Sequence, residues 1–123
     1  MPGGADAKKN ILVIDDNAGI LFAVQQALEM RGYMVHTATM FSGVEAVEKD
    51  HPDLILLDIF LTGEDGRDIA RKLKNHKGTS HIPIIILSAY PNPDELATEA
   101  GADDYLAKPF DLNALFKKIA DHI

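Results

Sequence analysis

Cysteine is absent from this sequence. That excludes a disulfide framework, a thiolate metal centre and a cysteine nucleophile, so any site chemistry must come from oxygen and nitrogen groups. Long apolar runs are missing too. None approaches the roughly 20 residues that cross a bilayer, and the N-terminus lacks the basic-then-apolar order of a secretory signal. The chain reads as soluble and cytoplasmic. Basic charge is in short supply, with a formal net charge of -7. A domain of that balance is on its own a poor binder of the nucleic-acid backbone, which takes clustered Lys and Arg. Most of the acids suit a soluble surface, and a few are left over for a cation site. No Gly-rich phosphate loop of the P-loop or dinucleotide type occurs, and there is no repeat, low-complexity tract or linker.

What is present is apolar residue in quantity: 46% of 123 residues, enough for one sizeable core and one domain. Residues 1–9 are small, Gly-containing and polar, and read as a flexible leader; the domain is 10–123. Continuous apolar runs at 11–14, 54–57 and 84–87 have the pattern of strands buried on both faces. A strand at 33–37 and a weaker one at 104–107 complete a set of five. Between them lie helical patterns. The first, 17–31, carries Ile20, Leu21, Val24, Ala27 and Leu28 at helical spacing, with Gly32 as its C-terminal cap. The second opens at Ser42 with Glu45 three residues on, a capping-box pattern, and closes near His51-Pro52. The third carries Ile69, Ala70 and Leu73 and is broken by Gly78. The fourth follows Asn92 as N-cap and Pro93 at the first helical position, and the fifth follows Asp111 with Leu112, Leu115, Phe116 and Ile119 on one face. Strands alternating with helices predict an α/β domain with a parallel sheet covered on both faces.

In an open parallel sheet the strand C-termini share one edge, and ligands bind there where the strand order reverses. The residues at those ends are Asp15 and Asp16, Asp58, Ser88 and Lys108. Three carboxylates, a hydroxyl and an ammonium at one edge match what phosphoryl transfer needs: a nucleophile, hard oxygen ligands for a cation, and positive charge near the phosphoryl oxygens. Taken singly, each has a plainer explanation. An Asp after a strand is usually a turn former or helix N-cap, and Asp16 or Asn17 can serve only that purpose. Taken together, acids following buried apolar runs are costly without a partner.

The motifs Ile14-Asp15-Asp16, Leu57-Asp58, Asp65-Gly66, Leu87-Ser88-Ala89, Gly101-Ala102-Asp103-Asp104-Tyr105 and Lys108-Pro109-Phe110, in this order and spacing, resemble the receiver domain of bacterial two-component response regulators. The resemblance spans residues 10–123. It implies a flavodoxin-like (βα)5 three-layer sandwich with strand order 2-1-3-4-5, an order for which the chemotaxis member of this superfamily is a standard example. It implies that Asp58 is the phosphoacceptor and that Asp15, Asp16, Asp58 and the backbone carbonyl of Phe60 hold Mg2+, with Mn2+ as an alternative. Ser88, Ala89 and Lys108 would bind the phosphoryl group, and Ser88 with Tyr105 would form the switch pair. Lys108-Pro109 would be a cis peptide. Phe60 and Tyr90, two residues beyond Asp58 and Ser88, would flank the path of a hydrolysing water and shield the acyl phosphate. The implied donor is a sensor histidine kinase or a histidine phosphotransfer protein, and the implied output surface is the fourth helix, fifth strand and fifth helix. No nucleic acid or membrane is implied for this domain alone. Either a free-standing regulator or shuttle, or a receiver within a larger protein, suits these features. Where the family usually has Met-Pro, this chain has Leu61-Thr62, a change expected to alter loop stiffness only.

Two other functions compete. An aspartate-nucleophile phosphatase of the haloacid dehalogenase type would need a second acid two residues after Asp58, where Phe60 stands. A flavodoxin-like cofactor carrier would need a Ser- and Thr-rich phosphate loop where Asp15-Asp16 would repel the ligand. The five histidines, at 36, 51, 76, 81 and 122, show no ligand spacing and are expected on solvent-facing loops or strands. The run Arg71-Lys72-Leu73-Lys74 is expected to be the solvated face of the third helix.

Overall fold

The computed structural model describes residues 8–89 and 93–123. Five strands form one parallel sheet: β1 (Asn10–Ile14), β2 (Met34–Ala38), β3 (Leu54–Asp58), β4 (Ile84–Ser88) and β5 (Asp104–Ala107), in the spatial order 2-1-3-4-5. The crossovers carry α1 (Ala18–Met30), α2 (Val44–Asp50), α3 (Gly66–Asn75) and α4 (Pro93–Ala100), and α5 (Leu112–His122) follows β5. The two-residue alternation of each strand divides the core. Ile11, Val13, Leu54, Leu56, Ile85 and Leu87 pack against α1 and α5. Leu12, Ile14, Ile55, Leu57, Ile84 and Ile86 pack against α2, α3 and α4. Strands with helices on both faces have no polar side, which is why β1, β3 and β4 read as unbroken apolar runs. The edge strand β2, mostly exposed, does not. No described helix is long and apolar enough to cross a membrane.

Helix ends explain where the elements differ from expectation. The Tyr33 amide donates to Leu28 O beyond Gly32 (φ 92°), completing the C-terminal cap of α1, so the β2 ladder starts one residue later, at Met34. Ser42 does not cap α2. Gly43 occupies the N-cap at φ 106°, a conformation suited to glycine, and no side chain bonds to the helix start. Gly78 does not end α3 either. The helix stops at Asn75, where the buried Thr79 hydroxyl donates to Leu73 O at 2.6 Å, while Gly78 lies under the Glu48 carboxylate. Asn92 lies outside the described residues, as do residues 1–7 of the expected leader.

The basic run on α3 is only partly a solvated face. Arg71 pairs with Asp68 and Lys72 with Glu64 near the surface, and Leu73 is fully buried. Lys74, with its side chain 19% exposed, pairs with Asp103 at 2.7 Å and donates to Ile82 O at 2.8 Å. Asp103 in turn accepts from Ile84 N, so one ion pair straps α3 to the start of β4 and the turn before β5. Two histidines also depart from expectation. His76 sits 2.9 Å from Glu48 and His122, on α5, 2.9 Å from Asp104, both half-buried.

Candidate functional site

The C-terminal ends of β1, β3, β4 and β5 meet at one edge of the sheet. There one carboxylate oxygen each from Asp15, Asp16 and Asp58 lies within 4.8 Å of the others. Asp15 is fully buried and held twice. Asn17 N donates to its Oδ1 at 2.9 Å and Lys108 Nζ to its Oδ2 at 2.8 Å. Asn17 serves as N-cap of α1, accepting from Ile20 N, so the turn-forming duty falls to Asn17 rather than Asp16. Asp58, 5% exposed, ends β3; its Oδ1 accepts from Phe60 N and lies 3.5 Å from Lys108 Nζ. Asp16 is exposed, and its Oδ2 accepts from Thr62 N at 3.2 Å and from Thr62 Oγ1 at 2.9 Å.

Charge at this sheet edge is unbalanced: three acids gather where one ammonium, Lys108, pairs with Asp15 and Asp58. Burial, and after it the neighbouring charge of Asp15, raises the Asp58 carboxyl above its ordinary range, while Lys108 and the Phe60 amide pull the other way. Hard oxygen donors this close, with surplus negative charge, fit a divalent cation of the Mg2+ type.

Ser88, buried at the end of β4, pairs in register with Ala107, and its carbonyl accepts from Lys108 N at 2.8 Å. Tyr105 pairs with Ile86 on the same strands, which puts its ring on the same face as Ser88. The ring is half-buried against the α2–α4 core, with Lys118 Nζ 5.1 Å from its centroid. Ala89 is exposed beside the site, and the Lys108-Pro109 bond is cis. Phe60 is 56% exposed and lines a hollow with Asp16 and Thr62. Tyr90 lies outside the described residues.

One feature the sequence reading missed is a miniature antiparallel ladder, Phe60–Leu61 with Glu64–Asp65, closed by Thr62-Gly63. It carries Thr62 back to Asp16. A hydroxyl residue beside Gly63, where the resemblance implies proline, was the available signal.

Comparison with known proteins agrees with this geometry. Residues 11–120 match the family model described as the response regulator receiver domain. The phosphate regulon transcriptional regulatory protein PhoB of Pseudomonas aeruginosa is 43% identical over 114 residues, covering 90% of this chain and 50% of that protein. The chain thus spans about half the length of the curated relatives it matches. The crystal structure of response regulator protein TrrA from Thermotoga maritima in complex with Mg2+–BeF superposes with a TM-score of 0.78 at 33% identity, over 94% of this chain and 99% of that one. A response regulator protein from Burkholderia pseudomallei, solved with a phosphorylated aspartic acid, a calcium ion and citrate, gives 0.77 at 29% identity, over 89% of this chain and 65% of that one. With the match running through all five strands and the acidic edge, this chain belongs to the response regulator receiver domain family of two-component systems.

Proposed function

We propose that Asp58 accepts a phosphoryl group from a phosphohistidine donor and that the domain acts as a switch, not as a turnover enzyme. The observation that carries this is the gathering of Asp15, Asp16 and Asp58 within 4.8 Å, faced by the Lys108 ammonium. Mg2+ would be held by Asp15, Asp16, Asp58 and the Phe60 carbonyl, with Mn2+ as an alternative. Bound there, it neutralises the carboxylates and offsets charge on the transferred phosphoryl oxygens. An Asp58 carboxylate oxygen forms the new P–O bond as the donor's P–N bond breaks, the electron pair staying with the imidazole nitrogen. Lys108 stands ready for a phosphoryl oxygen as a point charge. The Ser88 hydroxyl donates to another, and the exposed Ala89 leaves the approach open.

The donor is a histidine kinase or histidine phosphotransfer protein. Beside Lys108 an apolar groove of about 430 Å³, lined by Ile20, Ala23, Ala89, Phe110 and Leu112, offers its surface a resting place. Output passes through α4, β5 and α5, with Tyr105 on β5 sharing a sheet face with Ser88 at the end of β4. Asp104 laces β5 to α5 through Lys118 and His122. The domain works in the cytoplasm without nucleic acid of its own, either alone or within a longer protein.

Incubation with a small phosphodonor and Mg2+ is expected to give an acid-stable, base-labile phosphoryl adduct, absent in Asp58→Asn and on chelation of the metal. Steady release of phosphate from many substrate equivalents, with no adduct, would instead favour the phosphatase reading. In the same assay Phe60→Asn is expected to shorten the adduct's half-life severalfold, because exposed Phe60 lines the hollow beside Asp16. An equal or longer life in that variant would refute the shielding role of Phe60.

A further inference from the structure

Of the three clustered acids, Asp15 and Asp58 are each held by a backbone amide and the Lys108 ammonium. Asp16 is not. It is exposed, and among the described residues both hydrogen bonds to its carboxylate come from Thr62. An exposed carboxylate samples several rotamers in water, and ordering it when a cation arrives costs free energy that a prior hydrogen bond removes in advance. We propose that Thr62 is a positioning residue for the cation site: its amide and hydroxyl hold the Asp16 carboxylate among the other two acids and tighten Mg2+ binding. This rests on the reading of Asp15, Asp16 and Asp58 as metal ligands.

The local backbone makes the idea testable. Leu61 pairs with Glu64 across the Thr62-Gly63 turn; Gly63 has φ 81°, while Thr62 keeps a negative φ. That is the pattern of a type II turn with Thr62 at its second position, where proline is favoured. Leu61, in an extended strand, is likewise compatible with a following proline. Proline at 62 therefore preserves the turn while deleting both donors, and valine deletes the hydroxyl alone. Groups that hydrogen-bond to a metal ligand and orient it are typically worth a factor of ten or more in affinity, whereas a turn-stabilising role would act on folding and not on the metal.

Calorimetric titration of Mg2+ into the full chain, with unfolding midpoints of the metal-free proteins measured alongside, separates the outcomes. Thr62→Pro is expected to raise the Kd about tenfold, Thr62→Val by less, and Thr62→Ser hardly at all, with metal-free midpoints close to wild type. If Thr62→Pro and Thr62→Val both bind within about twofold of wild type while Asp16→Asn loses binding, the positioning role is overturned and the metal site stands. The valine result alone decides the hydroxyl's part should the proline variant fail to fold. If the wild-type chain takes up no Mg2+, the reading of the acids as ligands fails and the positioning role falls with it.

Discussion

Gly66→Ala is expected to lower folding stability by about 2 kcal/mol. Gly66 begins α3, and its amide donates to Ile59 O at 2.8 Å, so the helix start is drawn onto the backbone just after Asp58. A Cβ on Gly66 would run into the Asp58 carbonyl oxygen and lie 2.8 Å from Ile59 Cα. Both are buried backbone atoms at and just beyond the end of β3 and cannot swing away as a flexible side chain would. Gly66 carries no positive φ, so alanine's better helix propensity works in the opposite direction, by about 1 kcal/mol. Overpacking against fixed backbone costs up to about 3 kcal/mol or more, and the net sign is destabilising. The relief available, backing α3 away, breaks the Gly66–Ile59 hydrogen bond and shifts Asp58. Denaturant unfolding should therefore show a lower midpoint at unchanged m, and Mg2+ affinity should fall in the same variant. A Gly66→Ala protein as stable as wild type would refute a close backbone approach of α3 to the end of β3.

The parts of this fold that were legible share one property: they depend on local pattern alone. Fully buried strands such as Leu54–Asp58 and Ile84–Ser88 announce themselves as apolar runs because helices cover both sheet faces. The site was legible for a related reason. Parallel strands put their C-termini on one edge, so Asp15, Asp16, Asp58 and Lys108 could be assembled without coordinates. What escaped depends on groups distant in sequence. Lys74 looks like a surface cation until Asp103 and Ile82 O are brought to it by the sheet. His76 and His122 look solvent-facing until Glu48 and Asp104 arrive. Ser42 and Glu45 satisfy a capping box in sequence, yet Gly43 takes the positive φ at which the helix begins. Thr62 appeared to affect loop stiffness only, because its partner Asp16 lies 46 residues away.

Lys108→Met is expected to destabilise the metal-free protein by about 3 kcal/mol near neutral pH, because it strands buried carboxylates without their cation. Asp15 is fully buried and its Oδ2 lies 2.8 Å from Nζ; Asp58 is 5% exposed with Oδ1 at 3.5 Å. Lys108 itself is largely buried, so little solvent screens the loss. The deficit should depend on pH in a definite direction. Burial, then Asp15, already raises the Asp58 carboxyl above its ordinary 3.8, so the folded form binds this proton more tightly than the unfolded chain. Its contribution to stability is complete below 3.8 and is lost as pH rises through the folded value. Removing Lys108, which opposes that shift, raises the folded value further and widens the window of loss. The variant's deficit should accordingly shrink on acidification and grow toward neutrality. Adding Asp58→Asn should recover much of the stability, since the amide needs no cation, and Mg2+ should recover part of it in the single mutant by standing in for the ammonium. Urea unfolding of wild type, Lys108→Met and the double variant across the acidic range, with chelator and then with Mg2+, reads all three effects. A deficit indifferent to pH, to Asp58→Asn and to Mg2+ would show that the Lys108 charge does not balance these carboxylates.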